Sequence, residues 1–283
     1  MFTQINNLIN WLDAVVWGLP LIILILFTGC LLTIRLGVLQ IRHLGKALKF
    51  MIKNEDGGEG EVSSFGALCT ALSATIGTGN IVGVATAIAA GGPGALFWMW
   101  VVAFLGASSA FVESTLGQIY KERIEGQYRG GPAFYIERGL KLKAYAWAFA
   151  IVTILASCFF CPGVQSNSIA LAWNEAFGLD AEVTAAIVAS ITCFVIVGGL
   201  RRIATFTSWV VPFMAQAYIV VALIIVGVNW EQIPAVMTLI VNSAFGFDSL
   251  TGGMLGAAIA WGVKRGIYSN EAGQGTGPHA SSA

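Results

Sequence analysis

Charged residues are scarce in this sequence: Asp, Glu, Lys and Arg make up only 11% of its 283 residues, whereas 57% are hydrophobic. A soluble domain has about 25% charged residues, so this composition excludes one and indicates an integral membrane protein in a lipid bilayer. The 15 basic and 15 acidic residues cancel, so no positive field favours a nucleic-acid partner. Disorder is excluded too, because disordered chains combine low hydrophobicity with high net charge.

Histidine is nearly absent, with only His43 and His279 in the chain, and neither lies in a long apolar run. The Gly106-Ala107-Ser108-Ser109 segment superficially resembles the serine site of an intramembrane protease, but that chemistry needs a histidine base within a span. The chain also lacks a His-Glu-x-x-His motif and a pair of intramembrane aspartates. These absences predict a protein that is not an enzyme and that uses no cofactor.

The cysteines give no indication of redox or metal chemistry. All five lie in apolar stretches, where a thiol usually acts as a small packing residue. The pair in Cys158-Phe159-Phe160-Cys161 lacks nearby partner ligands for zinc. We therefore interpret the cysteines as packing residues.

Long runs without charge predict six or seven transmembrane helices. A charge at the bilayer centre costs at least about 2.5 kcal/mol, and about 20 apolar residues cross the hydrocarbon. We place predicted spans A to G at residues 14–34, 64–90, 95–120, 144–172, 182–199, 204–228 and 249–268.

Basic residues predict the orientation, since Lys and Arg accumulate in cytoplasmic loops. All of them fall in the connections A to B, C to D and E to F, or at the predicted end of span G, where Lys264 and Arg265 lie. The other connections and the N-terminus carry only acids. We therefore expect a protein of the cell (cytoplasmic) membrane with its N-terminus on the outer side and its C-terminus on the cytoplasmic side. These acids include Asp13, Asp180, Glu182, Glu231 and Asp248, and the basic residues of the A to B connection include Lys53.

Span B contains a predicted interruption at Gly77-Thr78-Gly79-Asn80. Glycine tolerates non-helical dihedrals, and free backbone groups in a membrane must line a cavity or contact protein. Carbonyls that end the first half attract a cation, while N–H groups that begin the second half attract an anion. The break therefore favours binding of a zwitterion and a coupling ion. A packing role for the Gly79-x-x-x-Gly83 spacing and an ion channel are the alternatives.

Several segments are similar to the alanine or glycine:cation symporters. The most specific is Gly91-Gly92-Pro93-Gly94-Ala95-Leu96-Phe97-Trp98-Met99-Trp100; from the residues alone it is an extracellular turn followed by an aromatic interface anchor. The other similar segments are residues 73–81, 128–132 and 264–273.

The resemblance implies an all-α polytopic membrane protein with the leucine-transporter fold, two inverted repeats of five helices, here preceded by one extra helix. Residues 1–62 would hold the extra helix and a basic linker, 63–228 the first repeat, and 229–283 an extracellular segment and the first helix of the second repeat. Glycines at 252, 253, 256 and 262 suggest that span G is interrupted like span B. The family continues for four more helices, so we expect a truncated transporter or inactive fragment.

The resemblance also implies a function, the sodium-coupled symport of alanine or glycine, and a substrate site between the interrupted helices and span D. Thr78, Gly79 and Asn80 are the first candidates, with the backbone N–H groups of Gly79 and Asn80 on the carboxylate. Gln165 is next, because an amide within a span must find partners, although an ordinary interhelical hydrogen bond is an equal alternative. Trp261 and Gly262 would supply an apolar wall and a break in span G.

Two partial sodium sites follow from the same resemblance. One would use the Thr75 carbonyl and the Asn80 side chain, and the other the carbonyls of Ser73 and Ile76. Oxygen ligands suit a hard cation such as sodium.

Glu113 is the one acidic residue well inside a predicted span. An intramembrane carboxylate is a functional candidate by default. We expect either a structural role, capping a helix or pairing with Arg201 or Arg202, or a role in proton or ion coupling.

Overall fold

The computed structural model describes residues 2–52, 62–246 and 252–282. Those residues are mainly helical, with one antiparallel hairpin of β1 (Glu122–Ile124) and β2 (Gln127–Arg129). A π-helix covers Ala156–Phe160 and a 3₁₀ turn covers Trp230–Gln232. The α-helices are α1 Phe2–Val16, α2 Leu19–Arg35, α3 Leu39–Arg42, α4 Leu44–Ile52, α5 Ser64–Thr75, α6 Thr78–Gly91, α7 Gly94–Ile119, α8 Pro132–Gly139, α9 Lys143–Leu155, α10 Cys161–Phe177, α11 Ala181–Ile196, α12 Gly199–Val228, α13 Ile233–Phe245, α14 Gly252–Asn270 and α15 Gly277–Ser281.

Within the described residues, five helical stretches are long and apolar enough to cross a membrane. Predicted spans A to D and F fall on these five stretches. Span E corresponds to the shorter apolar helix α11, and span G falls on α14. The predicted class, an all-α polytopic membrane protein, is confirmed. The membrane-crossing stretches are Thr3–Arg35, Ser64–Gly91, Gly94–Ile119, Lys143–Phe177 and Gly199–Val228.

The chain forms two compact units, which we describe separately. The first contains Met1–Leu44, Gly83–Ser109 and Glu231–Gly273. Its core joins α2, α7 and α14 through the buried side chains of Ile22, Val102, Val263 and Ile267. Helices α2 and α7 lie in close contact because Gly29 has no side chain: a Cβ there would lie 2.9 Å from the Cβ of Leu105.

The most specific family segment shapes this first unit. Gly92 makes the turn between α6 and α7 with φ +75°, which confirms the predicted turn. The Trp98 indole N–H donates to the carbonyl of Ala244 at 3.1 Å, and the ring packs beside Phe245. Trp98 is therefore a docking residue for α13, while its interpretation as an interface anchor stays a prediction. Helix α13 itself was missed, because a helix of thirteen residues is too short for a span.

The second unit contains Gly45–Val82, Ala110–Trp230 and Gln274–Ala283. Ser63 caps α5 by accepting the Gly66 N–H at 3.1 Å, which satisfies one donor at the helix start. Helix α5 then packs against both α12 and α15. The α5 and α12 hydroxyls of Thr70 and Thr207 lie 3.3 Å apart.

The predicted interruption of span G by Gly252, Gly253, Gly256 and Gly262 is wrong, since α14 runs unbroken as Gly252–Asn270. Glycine lowers helix stability by about 1 kcal/mol, and close packing offsets that loss. A Cβ on Gly262 would lie 2.5 Å from the Cβ of Trp98 and 2.7 Å from the carbonyl oxygen of Ala95. Gly262 is thus a contact position between helices.

Lys264 is likewise not the cytoplasmic end of this helix, which continues to Asn270. Its ammonium group pairs with the carboxylate of Asp13 at 2.6 Å. Asp13 was predicted outside and Lys264 inside, so at least one of these placements is wrong. The orientation of the chain is therefore inferred from the basic residues of the other connections.

Lys53, Asp248 and the predicted start of span G at 249 lie outside the described residues. The division into an extra helix, one complete repeat and the start of a second repeat stays a prediction.

Candidate functional site

The predicted break in span B is present but shorter than expected. Helix α5 ends at Thr75 and α6 begins at Thr78. The Asn80 N–H donates to the Gly77 carbonyl at 3.1 Å, so residues 78–80 already form the first turn of α6. Only Ile76 and Gly77 lie between the helices, which corrects the predicted four-residue break. N–H groups at the start of α6 still face the break.

Gln165 reaches this break from α10. Its side-chain oxygen Oε1 accepts the Thr78 backbone N–H at 3.3 Å. Gly77 faces the same amide: a Cβ there would lie 3.2 Å from Nε2 and 3.3 Å from Oε1 of Gln165. The structure therefore brings together two of the predicted substrate residues. Their binding role stays a prediction.

A π-helix precedes Gln165 in the chain. Residues Ala156–Phe160 adopt this rare form between α9 and α10, and Pro162 stands near the start of α10. Such π segments are frequent at functional sites, where they alter the direction of side chains. This segment was not predicted from the sequence, although Pro162-Gly163 marked the region.

The Thr78 hydroxyl is buried and has no hydrogen-bond partner among the described residues. Leaving such a group unsatisfied costs about 1 to 3 kcal/mol. Thr78 therefore offers a polar group beside Gly77 and Gln165 that a ligand or water molecule would satisfy.

The predicted sodium ligands Thr75 and Asn80 also lie together. The Asn80 amide Nδ2 donates to the Thr75 carbonyl at 2.5 Å. The Ser73 hydroxyl donates to the Thr70 carbonyl at 2.7 Å, and Ile76 closes α5 with ψ 79°. In this arrangement the Asn80 amide nitrogen, and not its oxygen, faces the Thr75 carbonyl, so the role of these residues as sodium ligands stays a prediction.

Trp261 and Gly262 belong to the first unit, whereas Thr78, Asn80 and Gln165 belong to the second. Trp261 packs against Gly91: a Cβ on Gly91 would lie 2.7 Å from the Cβ of Trp261. The Arg265 guanidinium lies 5.4 Å from the Trp261 ring centroid.

A second helix interruption follows α14, at residues 271–276. Gly273 and Gly275 have φ values of +86° and +76°, which glycine adopts without strain. Helix α15 follows and packs against α5. No break was predicted at these residues, although Gly273-Gln274-Gly275-Thr276-Gly277-Pro278 contains a stronger signal than the glycines of α14.

Glu113 has the phenol of Tyr135 in its vicinity. The pKa of Tyr135 is raised to about 12. Burial is the largest cause, followed by the charge of Glu113 and then by Tyr145. Arg202, one of the expected partners of Glu113, stacks 3.9 Å from the centroid of the Phe194 ring. The role of Glu113 stays a prediction.

Comparison with known proteins agrees with this architecture. The chain matches the model of the sodium:alanine symporter family over residues 2–283. A putative sodium/proton-dependent alanine carrier protein of Bacillus subtilis, YrbD, is 55% identical over 96% of this chain and 56% of its own length. The sodium/alanine symporter AgcS of Methanococcus maripaludis is 44% identical over 98% of this chain and 63% of its own length.

A third relative, the probable sodium/glutamine symporter GlnT of Bacillus subtilis, is 41% identical over 98% of this chain and 58% of its own length. The chain thus spans less than two thirds of each of these relatives. All three are transporters by name, in agreement with the prediction of a protein that is not an enzyme. A family match over residues 2–283, joined to an identity of 55% with one relative, shows that this protein belongs to the sodium:alanine symporter family.

Proposed function

We propose that this chain is part of a secondary active transporter that carries alanine or glycine together with sodium across the cytoplasmic membrane. The observation that carries the proposal is the interrupted helix α5–α6, where the buried Thr78 hydroxyl lacks a partner among the described residues. The family membership and the names of the relatives support the same activity. The proposed fold is the five-plus-five inverted repeat with one extra N-terminal helix.

The substrate carboxylate would bind at the start of α6. A helix N-terminus carries a partial positive charge and free N–H groups, which attract an anion. The Thr78 N–H bonds to Gln165 and the Asn80 N–H bonds to Gly77. We therefore assign the carboxylate to the Gly79 N–H and the Thr78 hydroxyl, with Gln165 beside them. The role of Trp261 as an apolar wall stays a prediction, while Gly262 loses its proposed role as a break.

Sodium would bind at the end of α5. The carbonyl of Thr75 is within 2.5 Å of the Asn80 amide, and rotating that amide by half a turn would direct Oδ1 toward the same region. Both atoms are hard oxygen ligands. Ser73 and Ile76 remain the proposed partial second site. The coupling of transport to sodium rests on this pair and on the relatives.

The test is uptake of radiolabelled alanine into proteoliposomes that contain the full-length natural protein. We expect concentrative uptake that requires a sodium gradient and that excess glycine inhibits. Uptake that is unchanged when choline replaces sodium would contradict sodium coupling. Inhibition by glutamine but not by glycine would place the substrate preference nearer that named for GlnT.

Asn80 provides a test of the sodium site. Asn80→Leu should raise the sodium concentration for half-maximal uptake by about tenfold, because it removes one oxygen ligand. Asn229→Leu is the control, since the Asn229 amide bonds to its own helix, at the Ile225 carbonyl. An unchanged sodium dependence in Asn80→Leu would exclude Asn80 as a ligand.

A further inference from the structure

Helix α15 lies in a cradle made largely of glycine backbone. The cradle consists of Gly117 at the end of α7, Gly130 and Gly131 after the hairpin, and Gly275 before α15. Pro132 and Pro278 are fully buried within it. All of these residues belong to the second unit.

The contacts leave no room for side chains on the cradle. A Cβ on Gly130 would lie 2.6 Å from the Cβ of Ser282, and one on Gly131 would lie 2.8 Å from the His279 ring. Gly131 also has φ +130°, which L side chains rarely adopt. Residues 130 and 131 thus fit the surface of α15 by shape and by backbone conformation.

The other side of α15 is held in the same way. A Cβ on Gly117 would lie 3.1 Å from the Cβ of Pro278, and one on Gly275 would lie 2.7 Å from Cγ of Pro132. The Gln118 amide donates to the Ser281 carbonyl. This short helix is therefore enclosed by glycines and tied by a polar contact.

Helix α15 in turn packs against α5. Each of these two helices adjoins an interruption: α5 ends before residues 76–77, and α15 follows residues 271–276. Non-helical joints of this kind absorb the φ and ψ changes of a hinge. Such joints would let α5 and α15 move as short rigid segments, and the glycine cradle would oppose that movement.

We propose that the loop at residues 130–132 is a latch that positions α15 and, through it, α5, and that release of this latch opens the substrate site toward the side on which the loop lies. This inference rests on the proposed transport function for its biological meaning. The latch would restrict the mobility of α5, and that mobility is measurable without transport.

Cys69 on α5 provides the measurement, because its side chain is only 1% exposed. The other four cysteines are exposed and would be replaced by serine in the full-length protein. The rate at which a membrane-impermeant maleimide labels Cys69 in proteoliposomes, with the reagent supplied on each side in turn, then reports the opening of α5.

Gly130→Ala should increase that rate by about tenfold, because overpacking by one methyl group expels Ser282 from the cradle. Gly277→Ala is the matched control, since a Cβ there meets nothing within 4 Å. His279→Ala tests the latch by removing atoms, and it should also accelerate labelling. Ser282→Gly combined with Gly130→Ala should slow the labelling again in part, because it removes the Ser282 side chain but leaves the Gly117 carbonyl oxygen 2.9 Å from the added Cβ.

Equal labelling rates in the wild type, Gly130→Ala, His279→Ala and Gly277→Ala would overturn the latch. Accelerated labelling with no sodium-dependent alanine uptake in the wild type would retain the latch and refute the proposed function. Acceleration by Gly277→Ala as well would show that any substitution in this region loosens α5, and it would also refute a specific latch.

Discussion

At the residue scale, Gly77 is the position where a side chain would most directly disturb the proposed site. An added methyl group would press on the Gln165 amide, because a Cβ on Gly77 would lie 3.2 Å from Nε2 and 3.3 Å from Oε1 of that amide. Gly77→Ala should therefore lower alanine uptake by about tenfold, as overpacking of about 1 to 3 kcal/mol would do. Gly163→Ala on α10 is the control, because a Cβ there meets nothing within 4 Å. Equal alanine uptake by Gly77→Ala and Gly163→Ala in proteoliposomes would contradict a role for Gly77 and Gln165 in the substrate site.

Thr78 tests the chemistry of the same site. Thr78→Val keeps the shape but removes the buried hydroxyl that lacks a partner among the described residues. The KM for alanine should rise by about fivefold, the effect of one hydrogen bond of about 1 kcal/mol. Thr78→Ser keeps the hydroxyl and should retain the wild-type KM. If the valine variant also keeps that KM, the hydroxyl does not contact the substrate.

The sequence predicted some of these residues for identifiable reasons. Gln165 was a candidate because an amide inside a span needs a partner, and the structure supplies the Thr78 N–H. Trp98 was interpreted as an interface anchor because an indole near a span end is typical of one. Only the structure shows that α13, with the Ala244 carbonyl, lies against it.

At the scale of elements, the docking of α13 onto α7 is the feature that the sequence concealed. Trp98→Phe removes the indole N–H that bonds to Ala244 and keeps an aromatic ring beside Phe245. We expect a loss of about 1 kcal/mol in stability, measured as a lower Tm in detergent. Trp100→Phe is the control, because Trp100 is 46% exposed. A matching decrease in both variants would show that the hydrogen bond contributes nothing specific.

The two helix interruptions show what glycine patterns reveal and what they conceal. The pair Gly77 and Gly79 located the break in span B to within about two residues. In α14, Gly262 and Gly266 serve close contacts; a Cβ on Gly266 would lie 3.2 Å from the Cβ of Val102, whereas one on Gly253 or Gly256 would meet nothing within 4 Å. A glycine that unwinds a helix and one that admits a neighbouring helix have the same letter. The residue that packs against each glycine distinguishes the two cases, and the sequence does not show which residue that is.

At the scale of the whole molecule, the basic residues predict how the chain crosses the membrane. The segment from the end of α7 to the first residue of α9 carries Lys121, Arg123, Arg129, Arg138, Lys141 and Lys143, whereas the only charged residue between α10 and α11 is the acid Asp180. Since Lys264 pairs with Asp13, the predicted orientation now depends on connections of this kind. Their charges predict that the β1–β2 hairpin lies in the cytoplasm and the start of α11 outside.

Two engineered cysteines test this orientation in the full-length protein without native cysteines. Gln127→Cys is exposed in the hairpin, and Asp180→Cys is exposed before α11, where Asp180 makes no side-chain capping bond. An impermeant maleimide added to intact cells should label Asp180→Cys, and it should label Gln127→Cys only in inside-out vesicles. The reverse pattern would contradict the orientation. Because the hairpin adjoins residues 130–132, it would also place the latch outside, so that its release would open the site to substrate entry instead of to the cytoplasm.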